Sequence, residues 1–162
     1  ERPELLDAPH RPIDHPELDT ERNRLASLIE IAQDEAMMQG RELGLELMAS
    51  TYRFVEYDPY SLRWSEITGD DMFRLRQLPD GMEFQLYLED KLIVLESNPQ
   101  ELEQSTEADM DDRSDDYLPH IFLFSSGELT PYEIHLVRPL NDQHLAMRSD
   151  MLGEIEFLNE FN

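Results

Sequence analysis

Five histidines, His10, His15, His120, His135 and His144, are the side chains best suited to hold a metal or move a proton near neutral pH. None pairs with another at the H-x-x-x-H or H-E-x-x-H spacing that sets two ligands on one helix face, so zinc ligation of that kind is not indicated. His135 and His144 fall in two neighbouring alternating runs and can meet across strands. Cross-strand packing is the plainer reading of that pair; a metal or catalytic role is the sharper one. Asp109, Asp111 and Asp112 carry part of a calcium-loop spacing, but the next ligand position falls on Arg113 and the following residue is Ser114 rather than Gly. A solvated acidic loop explains them better than a weak cation site. Ser125-Ser126-Gly127 lacks the first glycine of a nucleophile elbow and reads as a polar turn. Met37 and Met38, with Trp64, Phe73 and Met82, could line a ligand pocket or partner surface, although core packing is the default for such residues. No catalytic residue, metal or cofactor is expected.

The elements that would position these residues begin with a proline-bearing stretch, residues 1–17, which should be irregular because proline fixes φ and removes a donor. Leu25, Leu28, Ile29, Ala32 and Ala36 then follow the spacing of one helix face, predicting an amphipathic helix over about 18–39. Glu21, Arg22, Asn23, Glu30, Gln33 and Asp34 fall on its other face. Asp14, Asp19 or Thr20 could cap its start, and Gly40 suits its C-terminal end. From Leu43 the period shifts to two, and strands are expected between residues 43 and 158. They cover Leu43–Leu47, Thr51–Tyr57, a short segment at Trp64, Met72–Arg76, Met82–Leu88, Lys91–Glu96, His120–Phe124, Tyr132–Arg138, Gln143–Arg148 and Ile155–Leu158. Hairpin turns are expected at Ala49-Ser50 and Glu89-Asp90, and a further turn at Leu78-Pro79-Asp80-Gly81. Nine carboxylates from Glu96 to Asp116 face one cation, Arg113, which predicts a mobile acidic loop over 97–117. The fold class is α+β: an N-terminal helix on antiparallel sheet, in one globular head spanning 18–162.

Thirty-seven acidic residues against thirteen basic ones give a formal charge of −24. Nucleic acid is excluded as a partner, since binding it depends on Lys and Arg displacing counterions, and an anionic membrane surface is repelled likewise. The absence of cysteine excludes disulfides and thiolate chemistry. No run approaches the roughly 20 apolar residues of a membrane span, and no signal peptide is visible. The chain starts at Glu1 without Met, so processing or trimming is expected.

The stretch from Leu28 to Leu47, with Glu35-Ala36 and the Gly40 and Gly44 pair, resembles the helix-to-strand junction of the general secretion pathway protein H family. Ser125–Tyr132, with Gly127, Glu128, Thr130 and Pro131, resembles that family's late turn-and-strand signature. The resemblance implies a minor pseudopilin of the type II secretion system. Such a subunit has a helix whose first half anchors it in the bacterial inner membrane and a two-sheet, β-sandwich-like head in the periplasm. It implies no catalysis, and assembly near the tip of a short filament that drives folded proteins through the outer membrane. The implied partners are the other minor pseudopilins of the tip and the major pseudopilin. The membrane would be met only through an N-terminal helix absent from this chain, and the isolated head is expected to be monomeric. Arg22, Arg24, Gln33 and Arg41 on the helix surface are candidate partner contacts. A minor pilin of a type IV pilus and a periplasmic β-sandwich binding protein are the alternative readings.

Overall fold

Helix α1 runs Pro16–Gln39, and the computed structural model describes residues 15–96 and 117–159. The expected apolar stripe is the buried one: Leu25, Leu28, Ile29, Ala32 and Ala36 are each at most 5% exposed. The start differs from expectation in two ways. The helix opens at Pro16, two residues early, because proline's fixed φ suits a first turn whose N–H groups lack helical partners. The N-cap is His15, with no side-chain cap, rather than Asp14, Asp19 or Thr20. At the other end Gly40 adopts φ 64° and the chain turns out of the helix, as a C-terminal glycine should.

Strands β1 (Leu43–Leu47), β2 (Thr51–Asp58), β3 (Arg63–Glu66), β4 (Arg76–Gln77) and β7 (Ile121–Leu123) form the first antiparallel sheet. Its order is β3-β2-β1-β7, with β4 also pairing β2. Strands β5 (Glu83–Leu88), β6 (Lys91–Ile93), β8 (Tyr132–Arg138), β9 (Gln143–Ser149) and β10 (Ile155–Leu158) form the second, in the order β10-β9-β8-β5-β6. The helix lies against β1 and β7 of one sheet and β8 and β9 of the other. Alternation sends Leu43, Leu45, Leu47, Tyr52 and Phe54 inward from the first sheet and Phe84, Leu86, Ile134, Leu136 and Met147 inward from the second, into one shared core with the helix.

Two expected strands are corrected. Met72–Arg76 is not a strand: Asp70 accepts from the Met72 amide and caps a 3-10 turn, Asp71–Phe73, whose Phe73 drops into the core. Only Arg76–Gln77 pairs, with Thr51 and Tyr52. The Lys91–Glu96 strand ends at Ile93, and by Glu96 the chain has returned to the first sheet, where the Glu96 carbonyl accepts from Ala49. The acidic segment 97–116, with Asp109, Asp111 and Asp112, lies outside the described residues, as do residues 1–14.

Candidate functional site

The residues that carry the family resemblance converge at the C-terminal end of α1. Ala36 is fully buried, and its carbonyl accepts from the Arg41 amide as the chain leaves the helix. Glu35 pairs with Arg41 at 3.6 Å, and Arg41 also pairs with Glu56 of β2. Three residues after Arg41, Gly44 sits in β1 beneath Pro119; a β-carbon there would stand 2.6 Å from the Pro119 β-carbon. The turn after β7 closes the junction. Glu42 accepts from both the Ser125 amide, at 2.8 Å, and the Ser125 hydroxyl, at 3.1 Å. Gly127, at φ 99°, packs under Met37, while the Gln33 side-chain amide donates to the Gly127 carbonyl at 2.6 Å. Thr130 bonds Phe122 through its backbone amide and its Oγ1, so Thr130 and Pro131 lead β8 away from a fixed point. Glu128 shares that turn, its amide donating to Ser126 Oγ at 3.3 Å.

The four candidate contact residues fare differently. Arg22 is corrected: it is 4% exposed and holds the helix to the second sheet rather than facing a partner. Its guanidinium donates to the Ala146 carbonyl at 2.9 Å, the Leu158 carbonyl at 3.2 Å, Asn159 Oδ1 at 2.7 Å and Asp19 at 3.0 Å, and it lies over the Phe157 ring. Glu21, also read as outward, is buried beside it and accepts from Arg24. The helix settles across two sheets, so more of its circumference is covered than a one-sided stripe suggests. Gln33 spends its amide on Gly127 and Leu152, and Arg41 on its two glutamates. Arg24 stays half exposed. The outward helix face carries Asn23, Ser27, Glu30 and Asp34, and among them the apolar Ile31 and Met38. Met38 is 79% exposed. Periodicity gave no reason to single out Ile31, because a lone apolar residue on a polar face has no pattern around it.

Met37, Met38, Trp64, Phe73 and Met82 do not form one surface: Phe73 and Met82 are core residues. His135 and His144 do meet, with Nδ1 and Nε2 2.6 Å apart, and His135 Nε2 reaches Glu133 at 2.6 Å. The contact is a hydrogen bond between the two rings, in which the tautomer decides which nitrogen donates. Among the described residues no group of three or more ligating side chains is placed for a metal. Burial, and then the neighbouring His135, hold His144 below the usual histidine range. Burial does the same to His120, whose Nδ1 accepts from the Leu47 amide at 3.2 Å. No helix among the described residues is long and apolar enough to cross a membrane.

What this geometry resembles is specific. The family model described as type II transport protein GspH matches residues 21–153. The chain is 33% identical over 135 residues to type II secretion system protein H of Pseudomonas aeruginosa, covering 83% of this chain and 72% of that protein. It is 27% identical over 146 residues to the protein of the same name from Aeromonas hydrophila, covering 89% and 76%. Among solved structures, the minor pseudopilin EpsH from the type II secretion system of Vibrio cholerae superposes with a TM-score of 0.68 at 16% identity, covering 90% of this chain and 96% of that one. The solution structure of Escherichia coli GspH superposes at 0.59 and 14% identity, covering 92% and 96%. Helix, two antiparallel sheets, junction and matched sequence agree, and the chain belongs to the type II transport protein GspH family of minor pseudopilins.

Proposed function

We propose that this head joins the type II secretion pseudopilus near its tip and meets the other minor pseudopilins and the major pseudopilin laterally, through the outward face of α1. The observation that carries the reading is Ile31 and Met38, two turns apart and exposed on a face that is otherwise polar. The head works in the periplasm, tethered by an inner-membrane helix that precedes it. Its role is structural: it supplies shape and contacts to a filament that moves folded proteins outward. Alone, the head is monomeric, since charges of −24 repel a second copy and tethering in the filament supplies the effective concentration that free heads lack. Family membership favours the secretion filament over a type IV pilus or a carrier.

None of these 162 residues is cysteine, so a cysteine introduced here is the head's single thiol. Met38→Cys and Ile31→Cys in the full-length protein should crosslink to sibling pseudopilins in cells assembling the filament. Glu83→Cys, on the outer face of the second sheet, should not. Equal yields at all three positions, together with normal secretion when the gene is deleted, would remove the assembly role.

A further inference from the structure

On the face of the first sheet turned away from the helix, four rings and Glu42 border an open hollow. Register places Tyr57 opposite Trp64, and Gly44 opposite both Val55 and Phe122. Pro119 packs over Gly44, and the neighbouring rings leave a hollow of about 260 Å³ lined by Glu42, Tyr57, Trp64, Phe122 and Phe124. Tyr57 and Trp64 stand 5.3 Å apart, Trp64 and Phe122 5.7 Å, and Phe122 and Phe124 6.1 Å. All four rings are partly exposed.

Aromatic faces carry partial negative charge and attract cations, guanidinium in particular because it also stacks flat. This chain already uses its rings in that way: Arg22 lies 4.6 Å from the Phe157 centroid and Arg53 4.2 Å from that of Tyr117. Among the described residues, neither cation–π contact involves the four rings of the hollow, and no ion pair involves Glu42. Glu42 borders the hollow while both its carboxylate oxygens accept from Ser125, which fixes the side chain beside the rings. A −24 molecule selects basic partners in any case. We infer that the hollow formed by Tyr57, Trp64, Phe122, Phe124 and Glu42 docks an arginine side chain presented by a partner protein. The site is on a different face from the outward side of α1 and stands whether or not that helix face is a filament contact.

Trp64 is the only tryptophan in the chain, so its fluorescence reports on this hollow directly. The probe is a short peptide that carries one arginine and no other charge, added to the folded head. The control replaces arginine with citrulline, which keeps the planar group and removes the charge. The arginine peptide should give a saturable change in Trp64 emission, and the citrulline peptide should bind at least several-fold more weakly. Phe124→Leu and Glu42→Gln should each weaken the arginine peptide by roughly two- to fivefold while the unfolding midpoint of each variant shows it is folded. Should the two peptides bind alike, or neither produce a saturable change, the hollow is not an arginine site. The outcome does not depend on any filament being formed.

Discussion

At the scale of single residues, Arg22 carries more of the fold than its type suggests. Its guanidinium ties α1 to the middle of β9 and the end of β10, and removing it leaves the Ala146 carbonyl without that donor and Asp19 without its partner. Arg22→Ala should cost about 3 kcal/mol in urea unfolding, in the range for a buried charged group that loses one side of its network. Arg22→Lys should restore little of it, because an ammonium cannot span acceptors on two sides. Charge alone made Arg22 read as surface; only the presence of a second sheet over that helix face reverses the reading. The two shifted histidines make a second prediction. His120 and His144 have folded pKa values below the unfolded one, so the unfolded chain binds more protons between the two values and stability falls as pH is lowered through that window. The loss should begin as pH drops below about 7 and continue as pH falls through the lowered folded-state values. Urea midpoints for His120→Gln and His144→Gln should fall less over that interval than the parent's; an equal fall would assign the effect to other groups.

Among the elements, helix, hairpins and turns were legible because each is written locally. The stripe from Leu25 to Ala36, the alternation in β1 and β2, and the Pro79-Asp80-Gly81 turn need no distant partner to be recognised. Met72–Arg76 was misread because its alternation imitates a strand, while the deciding interaction is the Asp70 cap that bends it. The aromatic hollow was invisible for a different reason. Trp64 and Phe122 are 58 positions apart by number and meet only through the register of β3, β2, β1 and β7. The two glycines of the junction separate strain from space. Gly40→Ala should cost about 1 kcal/mol from left-handed backbone alone, since nothing lies within 4 Å of the added carbon. Gly44→Ala should cost about 1–3 kcal/mol by pushing Pro119 off β1, and it should shift Trp64 emission, which Gly40→Ala should not.

For the whole molecule, the excess of acid sets the response to salt. Ion pairs such as Arg53–Glu46 and Arg138–Glu17 lose strength on screening, but repulsion among the remaining carboxylates loses more. The thermal midpoint should therefore rise with added sodium chloride, and a fall would mean that the local pairs dominate. The pairing of β5 with β8, and of β1 with β7, has a consequence for the order in which the head can form. Both sheets wait for strands that follow the acidic segment: β7 completes the edge of one, and β8 is the centre of the other. The first 96 residues contain both strands of the β1–β2 and β5–β6 hairpins, but not the strand that pairs with Phe84 and Leu86. Because such distant pairings slow folding, closure of β8 onto β5 is expected to set the refolding rate. Lengthening the intervening segment costs only about 0.6 kcal/mol per doubling, so closure of the sheet constrains that segment's length only weakly.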